Sequence, residues 1–394
     1  MRLRQNKHSL LEILRVSTKL GLTSFGGPVA HLGYFKSEYI DKRKWLDDKT
    51  YADIIALCQF LPGPASSQVG IAIGVLRGGM LGGILSFIGF TLPSILVLIL
   101  FALLFQHVDL ADAGWIHGLK LVAVAVVAQA VFGMGQKLAP DKPRVTLAIL
   151  AAMATLLWPS AFVQIAIIMV AGIIGVFLYK KQSFPDVREM NVSISKKTGV
   201  AAFTIFFILL LGLPLLRQFV DNHFITLFDA FYRSGSLVFG GGHVVLPLLE
   251  RELVPTGWLD ASEFLAGYGV AQAVPGPLFT FASYLGTMIG GISVAILTTI
   301  AIFLPAFLLV IGSLPFLNVI RRRPRFQAAL TAINAAVVGI LLAALYDPIW
   351  TSTIKTTVDF SAALALFGLL TYWKLAPWLV VLIGALMGSF LVLI

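Results

Sequence analysis

A single cysteine, Cys58, leaves this chain no internal disulfide and no cysteine-based zinc site. His-Glu-x-x-His, Gly-x-Ser-x-Gly and P-loop patterns are missing as well, so hydrolase, ATPase and metal-enzyme chemistry has no foothold, and neither a cofactor nor enzyme activity is expected. Charge is scarce: Asp, Glu, Lys and Arg make up 12% of the 394 residues, against roughly 25% in a soluble domain. With 58% hydrophobic residues and a mean hydropathy of +0.91, the chain reads as a polytopic membrane protein in contact with lipid. No base-reading module accompanies the net charge of +10. The lysines and arginines gather in short loops, where they orient helices in a bilayer and do not suggest nucleic acid. The basic stretch Met1 to His8 is followed by no cleavage-site pattern, so it reads as a cytoplasmic anchor.

Apolar windows of about 18 to 25 residues are the signature of membrane spans. They fall at roughly 12–30, 51–76, 79–105, 114–137, 145–158, 160–179, 199–217, 224–242, 262–285, 288–312, 326–346, 358–373 and 376–394. An internal repeat runs through them. Phe25-Gly26-Gly27 recurs as Phe239-Gly240-Gly241, Trp45-Leu46-Asp47 as Trp258-Leu259-Asp260, and Gln59 with Pro62-Gly63-Pro64 as Gln272 with Pro275-Gly276-Pro277. Further on, Gly74, Gly78, Gly79 and Leu92-Pro93 match Gly286, Gly290, Gly291 and Leu304-Pro305, with an offset that drifts only from 214 to 212. The order and spacing imply an all-α protein built from two homologous repeats of about six segments each. Residues 199–217 have no earlier counterpart and read as a linker helix whose insertion inverts the second unit. The expected division is 1–190 for the first repeat, 191–220 for the linker and 221–394 for the second.

Positive-inside bookkeeping agrees over most of the chain, placing Arg2 and Arg4, Lys142 and Arg144, Lys196 and Lys197, and Arg321 to Arg323 on the cytoplasmic side. One loop disagrees. Residues 31–50 carry Lys36, Lys42, Arg43, Lys44 and Lys49, yet a full crossing by the first segment would put them outside. Two readings stay open: the first two segments of the unit span, or they dip in and return, which moves the loop inside and uses the breaks. The dipping version is preferred.

Proline removes a backbone donor and glycine loosens the chain, so Pro-Gly-Pro in an apolar run breaks a helix and frees polar groups that lipid cannot satisfy. Each repeat adds a glycine cluster, Gly26-Gly27-Pro28 or Gly240-Gly241-Gly242. After each break a new half-helix begins, and its N-terminal N–H groups form a ready anion site. Ser66, Ser67 and Gln68 follow the first Pro-Gly-Pro, and Thr280 follows the second. Cations recur too: Lys19 stands six residues before Phe25, and Arg233 six before Phe239. A basic side chain inside an apolar segment is by default a functional hypothesis, with snorkelling as the competing explanation. Asp229 precedes Arg233 at ion-pair spacing and threatens that assignment. His31, Glu38, His243 and Glu252 are the candidates for ion coupling. The expected substrate site is therefore Lys19, Phe25, Gly26, Gly27, Gln59, Pro62, Gly63, Pro64, Ser66 and Ser67, with Arg233, Phe239, Gly240, Gly241, Gln272, Pro275, Gly276, Pro277 and Thr280.

The run from Leu20 to Pro28, Trp45-Leu46-Asp47, the stretch from Leu57 to Gln68, and the second-half stretches Val238 to Pro247 and Gln272 to Pro277 closely resemble the long, two-domain chromate ion transporters. The resemblance covers essentially the whole chain. It implies an inner-membrane carrier with a cytoplasmic N-terminus that exports chromate, driven by the proton motive force, with sulfate as a structural analogue and homologous halves of opposed orientation. The residues alone reach only an anion carrier with inverted repeats; a passive anion channel and a transport-free membrane scaffold or sensor are the alternatives. Oligomeric state stays open, with a homodimer as one candidate.

Overall fold

The computed structural model describes residues 7–25, 27–107, 114–158, 161–179, 194–239, 244–316 and 324–391, and every regular element among them is helical. The first half comprises α1 (Lys7–Thr23), α2 (Gly27–Phe35), α3 (Asp48–Phe60), α4 (Ala65–His107), α5 (Gly114–Leu138), α6 (Lys142–Leu157) and α7 (Ala161–Leu178). After α8 (Lys196–Phe219), the second half repeats the order as α9 (His223–Leu237), α10 (Val245–Leu253), α11 (Ala261–Ala273), α12 (Phe281–Ser313), α13 (Pro324–Ala344), α14 (Thr357–Thr371) and α15 (Pro377–Leu391).

The glycine and proline breaks turn several apolar windows into helical hairpins. Past the first glycine break, α2 and a π-helical turn, Lys36–Lys42, double back along α1. Tyr39 and Ser17 meet hydroxyl to hydroxyl at 3.3 Å, and Arg43 reaches Glu12 at 3.0 Å. The basic loop after α2 thus returns to the end of the bundle where α1 begins, the geometry of the dipping arrangement. α3 then enters and the first arm of α4 comes back out, bringing Arg77 to 2.9 Å from Glu12 and 4.3 Å above the Trp45 ring.

At Gly78 and Gly79 the chain reverses again. Gly79 has φ +65° and ψ −159°, a conformation open only to glycine. Beyond it Ser86 donates to the Gly70 carbonyl at 2.8 Å, although the two would stand about 24 Å apart on a straight helix. Residues 80–107 form the true crossing arm, about 42 Å long. α12 repeats the device at Gly290 and Gly291, where Thr298 donates to the Ala282 carbonyl at 2.8 Å. In the windows 12–30, 51–76, 224–242 and 262–285 a helix ends before the break, at Thr23, Phe60, Leu237 and Ala273 in turn, in line with the preferred dipping reading and not with full spans. Hydropathy records composition and is blind to a reversal of direction.

The two halves run in opposite directions and interlock. Gln106, at the end of α4, donates to the Thr287 and Met288 carbonyls beside the α12 turn, and the Phe87 and Phe303 rings pack 5.0 Å apart. α5 is held by α14 and α15 of the other half, while α13 is held by α6 and α7. His117 joins Asp359 at 2.6 Å, and Gln129 donates to the Leu370 carbonyl at 2.9 Å. Glycines permit these approaches: a methyl on Gly118 would stand 2.0 Å from the Gly384 carbonyl oxygen. Gly118→Leu should therefore abolish the folded, monodisperse peak on detergent size-exclusion chromatography. Gly212→Leu, on α8 where an added methyl meets nothing within 4 Å, should leave that peak in place.

α8 lies against α9 and α12, buries Ala202 and Phe206, and exposes Phe207, Ile208, Leu211 and Phe219. Five helices among the described residues are long and apolar enough to cross a membrane, and the protein is a multi-pass membrane protein.

Candidate functional site

The helix breaks meet in pairs across the two halves. Gly63 of the first Pro-Gly-Pro donates its N–H to the Val238 carbonyl at 2.7 Å, and Gly276 of the second donates to the Ser24 carbonyl at 2.9 Å. Ser24 and Val238 directly precede Phe25 and Phe239 and occupy equivalent repeat positions, so the two bonds are images of each other. Each Pro-Gly-Pro therefore closes the glycine break of the opposite half, which answers where part of the freed backbone finds its partners. Both glycines need their freedom, with φ +116° at Gly63 and +107° at Gly276.

The remaining groups at the breaks divide into satisfied and unsatisfied. Gln68 Nε2 donates to the Pro62 carbonyl at 2.7 Å, and Thr280 Oγ1 to the Pro277 carbonyl at 2.7 Å, each capping its own break. Pro64 directly precedes the returning arm of α4, and Pro275 lies in the bend after α11. Phe25 and Phe239 are half-buried beside their glycine breaks. His31 is buried, with Nδ1 3.2 Å from Ser66 Oγ and its ring edge-on to Phe90 at 5.5 Å. Ser24 Oγ, His31 Nε2, Ser67 Oγ, Gln68 Oε1 and Gln272 Nε2 are buried without a partner. Orphaned polar atoms in a core are costly, and five of them on the segments that form the two breaks mark a region suited to a polar guest.

A pocket of about 30 Å³ sits at the junction of the first glycine break with the second Pro-Gly-Pro, lined by Gly27, Pro28, Ala271, Gln272, Gly276 and Pro377. That admits little more than water, so the junction is narrow in this conformation. The N-terminal ends of α2 and α15 both border it, each presenting the positive end of a helix dipole.

Lys19 and Arg233 face carboxylates. Lys19 Nζ lies 2.9 Å from Glu38 Oε2, and Arg233 binds Glu252 through two bonds of 2.9 and 3.0 Å while also contacting Asp229 at 3.0 Å. The offset of 214 that relates Lys19 to Arg233 also relates Glu38 to Glu252. The two pairs are thus symmetric latches, each tying the entering helix of its half to the returning one. Glu38 further holds Arg43 at 3.0 Å and Lys42 at 3.6 Å, and Asp229 holds Arg217 at 2.8 Å. Gln59 is exposed, unlike its repeat mate Gln272. Gly26, Gly240, Gly241 and His243 lie outside the described residues.

Sequence reasoning overlooked Ser24 and Pro377. Ser24 carried a signal, since it directly precedes a repeated Phe-Gly-Gly. Pro377 carried another, as a proline opening a late apolar segment.

Broken helices from two antiparallel repeats, closing on each other inside a multi-pass bundle, define a protein of the transporter class. A family model described as chromate transporter matches residues 11–176 and 225–389, one stretch on each side of α8, and the chain belongs to that family. It is 28% identical over 398 aligned positions to an uncharacterized transporter of Methanocaldococcus jannaschii, MJ0718, covering 98% of this chain and 95% of the relative. It is 26% identical to the chromate transport protein of Pseudomonas aeruginosa, covering 84% of this chain and 78% of the relative. The chromate transport protein of Cupriavidus metallidurans is 25% identical over 97% of this chain and 93% of its own length. No solved structure matches.

Proposed function

We propose that the protein is a secondary active transporter that exports chromate across the inner membrane, coupled to the proton motive force. The observation that carries this reading is the junction itself, where opposed helix breaks meet on segments that carry buried, unpartnered polar groups, in a chain of the chromate transporter family. A tetrahedral dianion needs hydrogen-bond donors and helix N-termini, and the junction supplies both. Rocking of one half against the other would open the narrow pocket to each side in turn. Lys19 and Arg233 contribute through their latches, which hold the hairpins that carry the breaks. The positive-inside rule puts the start of α1 and the basic loop after α2 in the cytoplasm.

Energised everted vesicles test the proposal. Chromate should accumulate inside them against its gradient and leak out when an uncoupler is added. Uptake that only equilibrates and ignores the uncoupler would establish a passive channel. Competition by sulfate in the same vesicles measures how far the site distinguishes the two anions, which share shape and charge.

A further inference from the structure

The two halves share a backbone arrangement at the breaks but not a chemistry. The offset of 214 that carries Phe25 to Phe239 places Ser24 on Val238 and His31 on Val245. The offset of 213 that carries Gly63 to Gly276 places Ser66, Ser67 and Gln68 on Phe279, Thr280 and Phe281. In the first half all five side chains are polar and buried, and four of them present an atom without a partner. In the second half four of the five are valine or phenylalanine, and Thr280 commits its hydroxyl to the Pro277 carbonyl. Gln68 offers only an accepting oxygen, but Ser24 Oγ, Ser67 Oγ and the His31 ring can donate, so a guest that needs donors finds most of them on one side of the pseudo-two-fold axis.

We infer that the protein binds one tetrahedral oxyanion per chain, on the first half's side of the junction, and that a proton is bound with it on His31. This rests on the oxyanion reading above and adds stoichiometry and a proton carrier. A proton leaving with the dianion lowers the exported charge from two to one, and the membrane-potential component of the proton motive force drives that charge outward. His31 bridges the two half-helices that begin at Gly27 and Ala65: Nδ1 meets Ser66 Oγ at 3.2 Å, and the ring borders the Ser24 backbone. Nε2 is buried without a hydrogen-bond partner, which leaves that nitrogen available to a guest. In the neutral ring one nitrogen donates and the other accepts, whereas in the imidazolium both donate, one to the anion and one to Ser66 Oγ. A dianion beside the ring favours the imidazolium. The proton comes from water or from the hydrogen form of the oxyanion, which passes it to Nε2 and becomes the dianion. Among the described residues no ionised group competes at this ring: Lys19 pairs with Glu38, Lys36 with Asp48 and Arg77 with Glu12, while Tyr51 donates its hydroxyl to the Leu32 carbonyl.

The test is calorimetric titration of the full chain in lipid nanodiscs with sulfate, whose charge does not change above neutral pH. Runs in buffers of different ionisation heat count the protons. One anion and close to one proton per chain are expected, with affinity falling about tenfold per pH unit as the pH rises above the pKa of the free His31 ring. His31→Gln should abolish the proton uptake and weaken binding by about tenfold or more. Two anions per chain, a pH-independent wild-type affinity or an unchanged proton count in His31→Gln would overturn the inference. The wild-type pH series decides the matter even if that variant does not fold. Failure of the wild type to bind either sulfate or chromate would instead overturn the oxyanion reading itself.

Discussion

Gly276→Val is expected to abolish chromate transport, leaving everted vesicles with less than about a tenth of wild-type uptake, and Gly63→Val should do the same. Both positions hold φ values that cost a side-chain-bearing residue about 1–3 kcal/mol. Space is short as well. A first methyl at Gly276 would lie 2.9 Å from Ser94 Oγ, and one at Gly63 would lie 3.1 Å from Gln68 Nε2 and 3.4 Å from Ala306 Cβ. Valine adds two further carbons at each place. Relief by backbone movement breaks the bond to Ser24 or Val238, and an orphaned buried carbonyl costs about 1–3 kcal/mol more. The two bonds are related by the repeat, so the two variants should fail alike. Wild-type uptake by either one would remove the cross-half junction from the mechanism.

The second large effect is an asymmetry between the latches. Arg233→Gln should lower the thermal unfolding midpoint in detergent by on the order of 10 °C, while Lys19→Gln should barely move it. Asp229 is fully buried, and the Arg233 side chain is only 11% exposed. Removing Arg233 leaves the buried Asp229 with Arg217 alone and takes from the largely buried Glu252 its bidentate partner, a loss that costs about 3–5 kcal/mol. Lys19 is 53% exposed, and Glu38 keeps Arg43 and Lys42 when Lys19 is lost. Glu38 is buried, but with Lys19 half in solvent and two other cations left on the same carboxylate, loss of this pair costs about 1 kcal/mol or less. Arg233→Gln combined with Glu252→Gln should recover part of the loss, because less charge is left uncompensated. Equal melting of the two single variants would mean that the latches are interchangeable.

Much of this arrangement was legible in the residues. Repeated breaks and the basic loop that resisted a full first crossing pointed to hairpins dipping into the bundle, and the unmatched α8 pointed to an inverted second half. Asp229, four residues before Arg233, announced that the arginine would be neutralised. Other features were hidden for physical reasons. Glu38 stands 19 residues beyond Lys19, and Glu252 stands 19 beyond Arg233, a spacing that means contact only once the chain is known to double back between them. Gly78-Gly79 served as a repeat marker, but the reversal there depends on backbone angles that composition does not encode. The bonds from Gly63 to Val238 and from Gly276 to Ser24 join residues well over a hundred positions apart, beyond any local pattern. The inequality of the two halves, by contrast, lay open in the aligned residues, where His31 faces Val245 and Ser66 faces Phe279.

The exchanged backbone bonds also govern how the chain can be made. When the ribosome has completed only the first repeat, the Ser24 carbonyl and the Gly63 N–H stand without their partners, and in lipid each such group costs several kcal/mol. The nascent first half must stay sheltered by the insertion machinery or by water until α9 and α11 arrive. A product truncated after α7 should be cleared by membrane proteases, and the second repeat supplied as a separate polypeptide should rescue it.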